Sequence, residues 1–212
     1  MNISNKELVL TFFPKAFYIN SVEKINFKKI YKEIKKEKFI NFKIDEKRSY
    51  SSHVKSPKNF DILNKKYLKN IKKKINNEFN NFKNNYLKYE NTSFKITTSW
   101  LTRSKKGESS RIHKHRNSMY SGILYLQVDD VSGDISFENH YTDSFNIIPT
   151  KYNIYNSEEY LIKPKNNMII FFPSDTHHRI LENKSNNTRY SIAFNLMPST
   201  KIGEVDSTYE YI

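Results

Sequence analysis

The sequence predicts an α+β chain that is mainly β, a sandwich or barrel of short strands preceded by a helical region. Three observations predict it. Apolar residues recur three or four apart through most of the first ninety residues, the period of one helix face. After Asn91 the period changes to two, the alternation of a half-buried strand, and turn-forming residues punctuate these runs. At 212 residues and 25.3 kDa the chain suits one domain with a sizeable core, spanning 1–212, with a helical support region over 1–90 and a β core over 91–200.

Taken in order, Leu8-Val-Leu-Thr-Phe-Phe-Pro predicts an edge strand stopped by Pro14. Asn20 predicts a helix cap with Glu23 three residues on, followed by apolar Ile25, Phe27, Ile30, Tyr31 and Ile34. From Phe60 to Tyr86 the positions Leu63, Tyr67, Ile71, Ile75, Phe79, Phe82 and Tyr86 predict a second helix whose aromatic stripe is core facing a sheet. Strands are then predicted at Phe94–Leu101, Met119–Val128, Asp134–Glu138, Met168–Pro173 and Arg189–Leu196. Gly107, Gly122 and Gly133 are expected at a turn, a bulge or a close approach. Residues 139–165 have weak periodicity and are expected to form a long connection over the barrel mouth.

The composition narrows the function classes. No cysteine is present, so a disulfide or thiolate metal site is excluded, and a metal must use imidazole, carboxylate or water, which suits iron, manganese or zinc. No run of about 18 apolar residues occurs and the amino terminus lacks the order of a signal peptide, so a soluble, cytoplasmic chain with no membrane partner is expected. The formal charge of +14 invites a nucleic-acid reading, but asparagine and isoleucine are as conspicuous as lysine and no recognition motif accompanies the charge. Solvated surface bias is the favoured account.

Chemistry concentrates in a few side chains. His113 and His115, two apart in Arg-Ile-His-Lys-His-Arg, point the same way if they lie on a strand and can share a metal, which a distant histidine could close. His178, at the end of Phe172-Pro-Ser-Asp-Thr-His-His, can take that third place, as can its neighbour His177. His53 and His140 lack spaced partners and are expected to be surface or locally bonded. On the last predicted strand Arg189 and Ser191 share one face, and Tyr190, Ile192 and Phe194 the other. A guanidinium buried on that face requires an anion, and a ligand carboxylate would meet the need.

Ser99-Trp100, Gly107, His113-Lys-His115, Asn117-Ser118, Ser121-Gly-Ile-Leu-Tyr-Leu, Gly133-Asp-Ile-Ser-Phe, Phe172-Pro-Ser, His178, Asn183 and Arg189-Tyr-Ser-Ile-Ala-Phe-Asn, in this order, resemble the 2-oxoglutarate/iron(II) oxygenases of bacteria and their phages. The resemblance extends loosely to Phe12-Phe-Pro and the helix beyond. It implies a double-stranded β-helix, a cupin-like jelly roll with the N-terminal helices packed against it. It also implies His113, His115 and His178 as ligands of Fe(II), and Arg189, Ser191 and Tyr125 at the 2-oxoglutarate site, with ascorbate as an accessory reductant. The implied reaction is a hydroxylation of a small or macromolecular substrate, releasing succinate and carbon dioxide. The chain departs from the wider superfamily at His115, where a carboxylate is usual, so the ligands would be three imidazoles unless Glu138 or Asp134 joins them. The competing readings are a cupin-like metal-binding protein or isomerase, which would not need Arg189 and Ser191 facing inward together, and a basic nucleic-acid-associated protein.

Overall fold

The computed structural model describes residues 9, 11, 13–40, 52–54, 60–139 and 147–210. Its strands are β1 (Tyr18–Ser21), β2 (Phe39–Ile40), β3 (Ser52–Val54), β4 (Phe94–Ser104), β5 (Tyr120–Gln127), β6 (Ile135–Glu138), β7 (Glu159–Ile162), β8 (Met168–Pro173), β9 (His177–Ile180) and β10 (Arg189–Pro198). They form a seven-stranded sheet, in the order β1-β8-β5-β10-β4-β3-β2, and a three-stranded sheet, β7-β6-β9, antiparallel throughout. No helix among the described residues is long and apolar enough to cross a membrane.

Period two decides what each face of the large sheet meets. Tyr190, Ile192, Phe194 and Leu196 of β10 lie with Leu101, Leu124, Ile169 and Phe171 in one apolar cluster, which also takes Ile71, Ile75, Phe79 and Phe82 from helix α2 (Lys69–Phe82). Phe79 sits 5.2 Å from Phe171, 5.1 Å from Phe94 and 5.7 Å from Tyr120, ring centre to ring centre. On the other face Ile123, Tyr125, Ile170 and Phe172 meet Ile135 and Phe137 of the small sheet in a second cluster. Between the sheets, beside this cluster, lies a cavity of about 510 Å³.

All five strands predicted from period two are present, β4 and β10 each longer at the C-terminal end. The first predicted helix starts later than expected. Asn20 belongs to β1, paired with Ile169, and the cap of α1 (Phe27–Ile34) is Asn26, whose Oδ1 accepts from the Lys29 N–H at 3.1 Å. Backbone committed to a sheet ladder cannot also open a helix, so the turn waits until β1 ends. The second helix is broken at both ends: 3₁₀ turns at Ile62–Asn64 and Lys66–Leu68 precede α2, and a π turn at Lys83–Leu87 follows it, leaving Tyr86 exposed.

The stretch 139–165 is not connection alone, because it contains β7, which extends the small sheet beyond β6. Residues 140–146 lie outside the described residues, as do 8, 10 and 12 of the expected edge strand at 8–14; residues 9, 11, 13 and 14 are described, and none of them is in a strand. Gly133 has φ +86°, and a Cβ there would stand 2.2 Å from the Leu181 carbonyl oxygen. Gly122 allows a different close approach: its missing Cβ would lie 2.4 Å from the Phe194 ring.

Candidate metal centre

His113 and His115 lie on the stretch before β5 and not on a regular strand, contrary to expectation. Their placement comes from backbone zipping against β9. His113 and His178 exchange both N–H to carbonyl bonds at 2.9 Å, Ser110 N–H donates to the Ile180 carbonyl at 2.9 Å, and His115 N–H donates to the Ser174 carbonyl at 2.9 Å. A pair of residues that exchange both bonds is the antiparallel ladder in its smallest form, and it sets residues 65 apart in sequence side by side. One ring nitrogen from each of His113, His115 and His178 lies within 4.8 Å of the others.

The imidazoles are oriented as ligands require. His113 Nδ1 meets the Arg111 carbonyl at 2.8 Å, and His178 Nδ1 meets the Thr176 carbonyl at 3.0 Å. A carbonyl can only accept, so in both rings Nδ1 carries the proton and Nε2 keeps its lone pair for a metal. Burial lowers the pKa of all three, to about 3 for His178 and about 4 for His115, where neighbouring imidazoles add to the effect, while at His113 the Arg111 charge does. At neutral pH the cluster is therefore three uncharged donors. It holds no carboxylate.

Strand parity separates the paired histidines. In the β6–β9 ladder His178 stands opposite Phe137 and His177 opposite Glu138, so they project to opposite faces. His178, 4% exposed, lies 4.8 Å from Phe172 and 6.0 Å from Phe137. Glu138 shares the outward face with Arg179 and forms an ion pair with it, Nε to Oε1 2.9 Å. Glu138 is thereby directed away from the histidines, and Asp134 is likewise absent from the cluster.

The far end of the cavity is built by β10 and its neighbours. Ser191 stands opposite Thr102 of β4 and opposite Tyr125 of β5, while Arg189 stands opposite Ser104. Cross-strand partners share a face, so Arg189, Ser191 and Tyr125 come together as expected. Arg189 is 2% exposed; its Nη1 donates to the carbonyls of Ser132 at 2.9 Å and Gly133 at 3.2 Å, and among the described residues it forms no ion pair. The Tyr125 hydroxyl is buried with no hydrogen-bond partner, and burial pushes its pKa up. A buried cation with no salt bridge, Glu108 acting on it only at a distance, and a buried hydroxyl without a partner are each costly, and an acidic ligand would relieve both.

Among the other parts of the cavity, Thr98 and Thr102 were not singled out by the sequence, and Trp100, Ala193 and Asn195 appeared only within motifs, with no role assigned. Thr98, Trp100 and Thr102 of β4 line it with Ala193 and Asn195 of β10, and period two in β4 was the signal that could have found them. Trp100 packs 5.4 Å from His115, ring centre to ring centre. Asn183, one of the motif residues, instead ties down a turn, donating from Nδ2 to the carbonyls of Ser104 and Asn187 at 2.8 and 3.1 Å. The side chains of His53 and His140 fall outside the described residues.

Residues 98–195, which contain all six expected site residues, match a family model described as "Putative 2OG-Fe(II) oxygenase". No curated protein sequence matches the chain. Solved structures with a similar fold include the non-heme alpha-ketoglutarate-dependent epimerase SnoN of nogalamycin biosynthesis, with 9% identity and a TM-score of 0.64 over 88% of this chain and 80% of that one. A prolyl-4-hydroxylase of Pseudomonas putida is 11% identical, with a TM-score of 0.54 over 85% and 92%. HygX of Streptomyces hygroscopicus, solved with nickel, 2-oxoglutarate and hygromycin B, is 7% identical, with a TM-score of 0.57 over 87% and 84%. The mainly antiparallel β architecture of this chain is thus the one seen in 2-oxoglutarate-dependent oxygenase jelly rolls.

Proposed function

We propose that this protein is a 2-oxoglutarate- and Fe(II)-dependent oxygenase, with its two sheets as the walls of a double-stranded β-helix. The observation that carries the reading is the pairing, in one cavity, of three neutral imidazoles within 4.8 Å with a buried guanidinium that forms no salt bridge among the described residues. The family match over residues 98–195 supports it. The facing of Ser191 and Tyr125 beside Arg189 favours it over a cupin-like isomerase, which has no use for a carboxylate subsite.

The residues fit the implied groups. Neutral Nε2 donors suit a borderline divalent metal such as iron, and the set is open, with three protein ligands. Arg189 would hold the far carboxylate of 2-oxoglutarate by a charge-assisted pair, with the hydroxyls of Ser191 and Tyr125 donating to it. When bound, the iron and 2-oxoglutarate supply oxidation by dioxygen, with succinate and carbon dioxide as products and hydroxylation of a substrate carbon as the simplest outcome. The protein orients and shields. The Arg111 and Thr176 carbonyls fix two ligand rings, Phe137 and Phe172 keep water from His178, and the cavity leaves space beside the imidazoles for a substrate. No general base is needed. Ascorbate, if it acts, serves only to keep the iron reduced.

Anaerobic titration with iron(II) and then 2-oxoglutarate tests the reading. A weak visible charge-transfer band is expected, needing both components. Arg189→Ala should weaken 2-oxoglutarate binding by about 2 to 5 kcal/mol while metal uptake persists, and Arg189→Lys should weaken it less, because the charge survives without the fork. Failure of the band to form in the wild type, or an unchanged 2-oxoglutarate dependence in Arg189→Ala, would remove the cosubstrate from this site.

A further inference from the structure

We infer that the substrate of this site is a small organic acid with a flat apolar group, its acid held by Arg111 and its flat face laid against Trp100. This deepens the oxygenase reading and rests on it for the word substrate.

The first support is the charge of the cavity. Among the described residues its lining contains two guanidiniums, Arg111 and Arg189, and no carboxylate. With three neutral ligands a divalent metal keeps its full charge, so 2-oxoglutarate, a dianion, cannot balance both the metal and Arg189. The buried Glu108 also acts on Arg189, so 2-oxoglutarate and Glu108 together offset the metal and Arg189, and the positive charge left over is that of Arg111. In a centre with a carboxylate ligand that surplus would be cancelled, and a neutral substrate would then meet a neutral site.

The second support is the position of Arg111. Its side chain is exposed at the cavity wall, with no ion pair among the described residues, while its own carbonyl accepts from His113 Nδ1 at 2.8 Å and the adjoining Ser110 N–H donates to Ile180 at 2.9 Å. The root of the side chain is thus fixed beside the metal ligands. Arg179, also near the centre, faces the other way and is neutralised by Glu138. Arg111 therefore offers a two-pronged donor at the cavity without a carboxylate to satisfy it.

The third support is Trp100, half-buried in the cavity wall. Its ring is held by His115 at 5.4 Å and by the edge of Phe60 at 6.3 Å, and a held indole is a surface for a flat, apolar group. It is the chain's single tryptophan and so reports its own occupancy.

The test is quenching of Trp100 fluorescence in zinc-loaded protein at fixed ionic strength, with and without saturating 2-oxoglutarate. The probes are benzoate, phenyl phosphate, benzyl alcohol and benzylamine. Saturable quenching by at least one acid is expected, with benzyl alcohol and benzylamine at least about tenfold weaker. The tighter of the two acids distinguishes a carboxylate from a phosphate substrate. Arg111→Gln should abolish the preference for acids and Arg111→Lys should restore part of it. Because the bond that orients His113 comes from the Arg111 backbone, neither substitution removes it. Arg116→Gln, an equal loss of charge on the same stretch but outside the cavity lining, should leave the preference intact. Absence of quenching by both acids, equal binding of a neutral or cationic probe, persistence of the preference in Arg111→Gln, or equal loss in Arg116→Gln overturns the inference. A missing iron(II)–2-oxoglutarate band would instead sink the oxygenase reading, and the ranking of probes without 2-oxoglutarate would still decide whether the cavity selects acids.

Discussion

A single step along β9 separates the proposed metal ligand His178 from its outward-facing neighbour His177. His178 points into the cavity and His177 away from it, so the two alanine variants should differ sharply. His178→Ala should lose stoichiometric uptake of iron(II) or zinc(II), measured by elemental analysis after dialysis, and His177→Ala should keep it; equal retention in both would refute the assignment. The same burial has a consequence for pH. Above the ordinary imidazole pKa of 6.5, folded and unfolded chains both hold His115 and His178 neutral. As the pH falls, the unfolded chain takes up protons that the folded, metal-free chain refuses until about 4 at His115 and about 3 at His178. Stability of the metal-free protein should therefore decline from pH 6.5 downward. Urea unfolding at pH 7 and pH 5 measures the decline, which should be smaller in His178→Gln.

Between elements, the turn that enters β6 carries a function no single side chain has. The carbonyls of Ser132 and Gly133 hold Arg189, and Gly133 can supply its own only because it adopts φ +86° and lets the Leu181 carbonyl come close. Gly133→Ala adds a Cβ that meets backbone, so the turn must shift and take the guanidinium with it. Weaker 2-oxoglutarate binding at undiminished metal content is expected, read from succinate formation against 2-oxoglutarate concentration. Helix α2 offers the contrast. Phe79→Ala should cost about 3 to 5 kcal/mol in chemical denaturation, as large core truncations do, yet α2 lines no part of the cavity and metal stoichiometry of the folded fraction should be unchanged.

For the molecule as a whole, the charge of +14 asks what the protein attracts. Ion pairs such as Lys15–Asp175 and Lys36–Glu33 are exposed, and the lysines of α2 lie on the side away from the sheet. A diffuse basic surface of this kind should bind random DNA weakly, and the binding should collapse between about 50 and about 200 mM salt. Fluorescence anisotropy of a labelled duplex measures this; tight binding that survives the higher salt would give nucleic acid a role.

The sequence alone determined the change of period at Asn91, the five strands that follow from it, and the shared face of Arg189 and Ser191, because alternation and burial are local properties that each segment carries with it. Spacing alone paired His113 with His115, and resemblance in the ordered motifs added the preference for His178 and the place of Tyr125. What the tertiary structure decided depends on pairing between distant segments. β9 and β7 are four residues each, too short and polar to announce themselves, and exist because β6 supplies a ladder on both sides. The start of α1 was moved by the pairing of β1 with β8. The opposite facing of His178 and His177, the outward turn of Glu138, and the meeting of Arg111 with Trp100 at one cavity all follow from which strand lies beside which. That register is set by the burial of whole faces, and no stretch of sequence contains it.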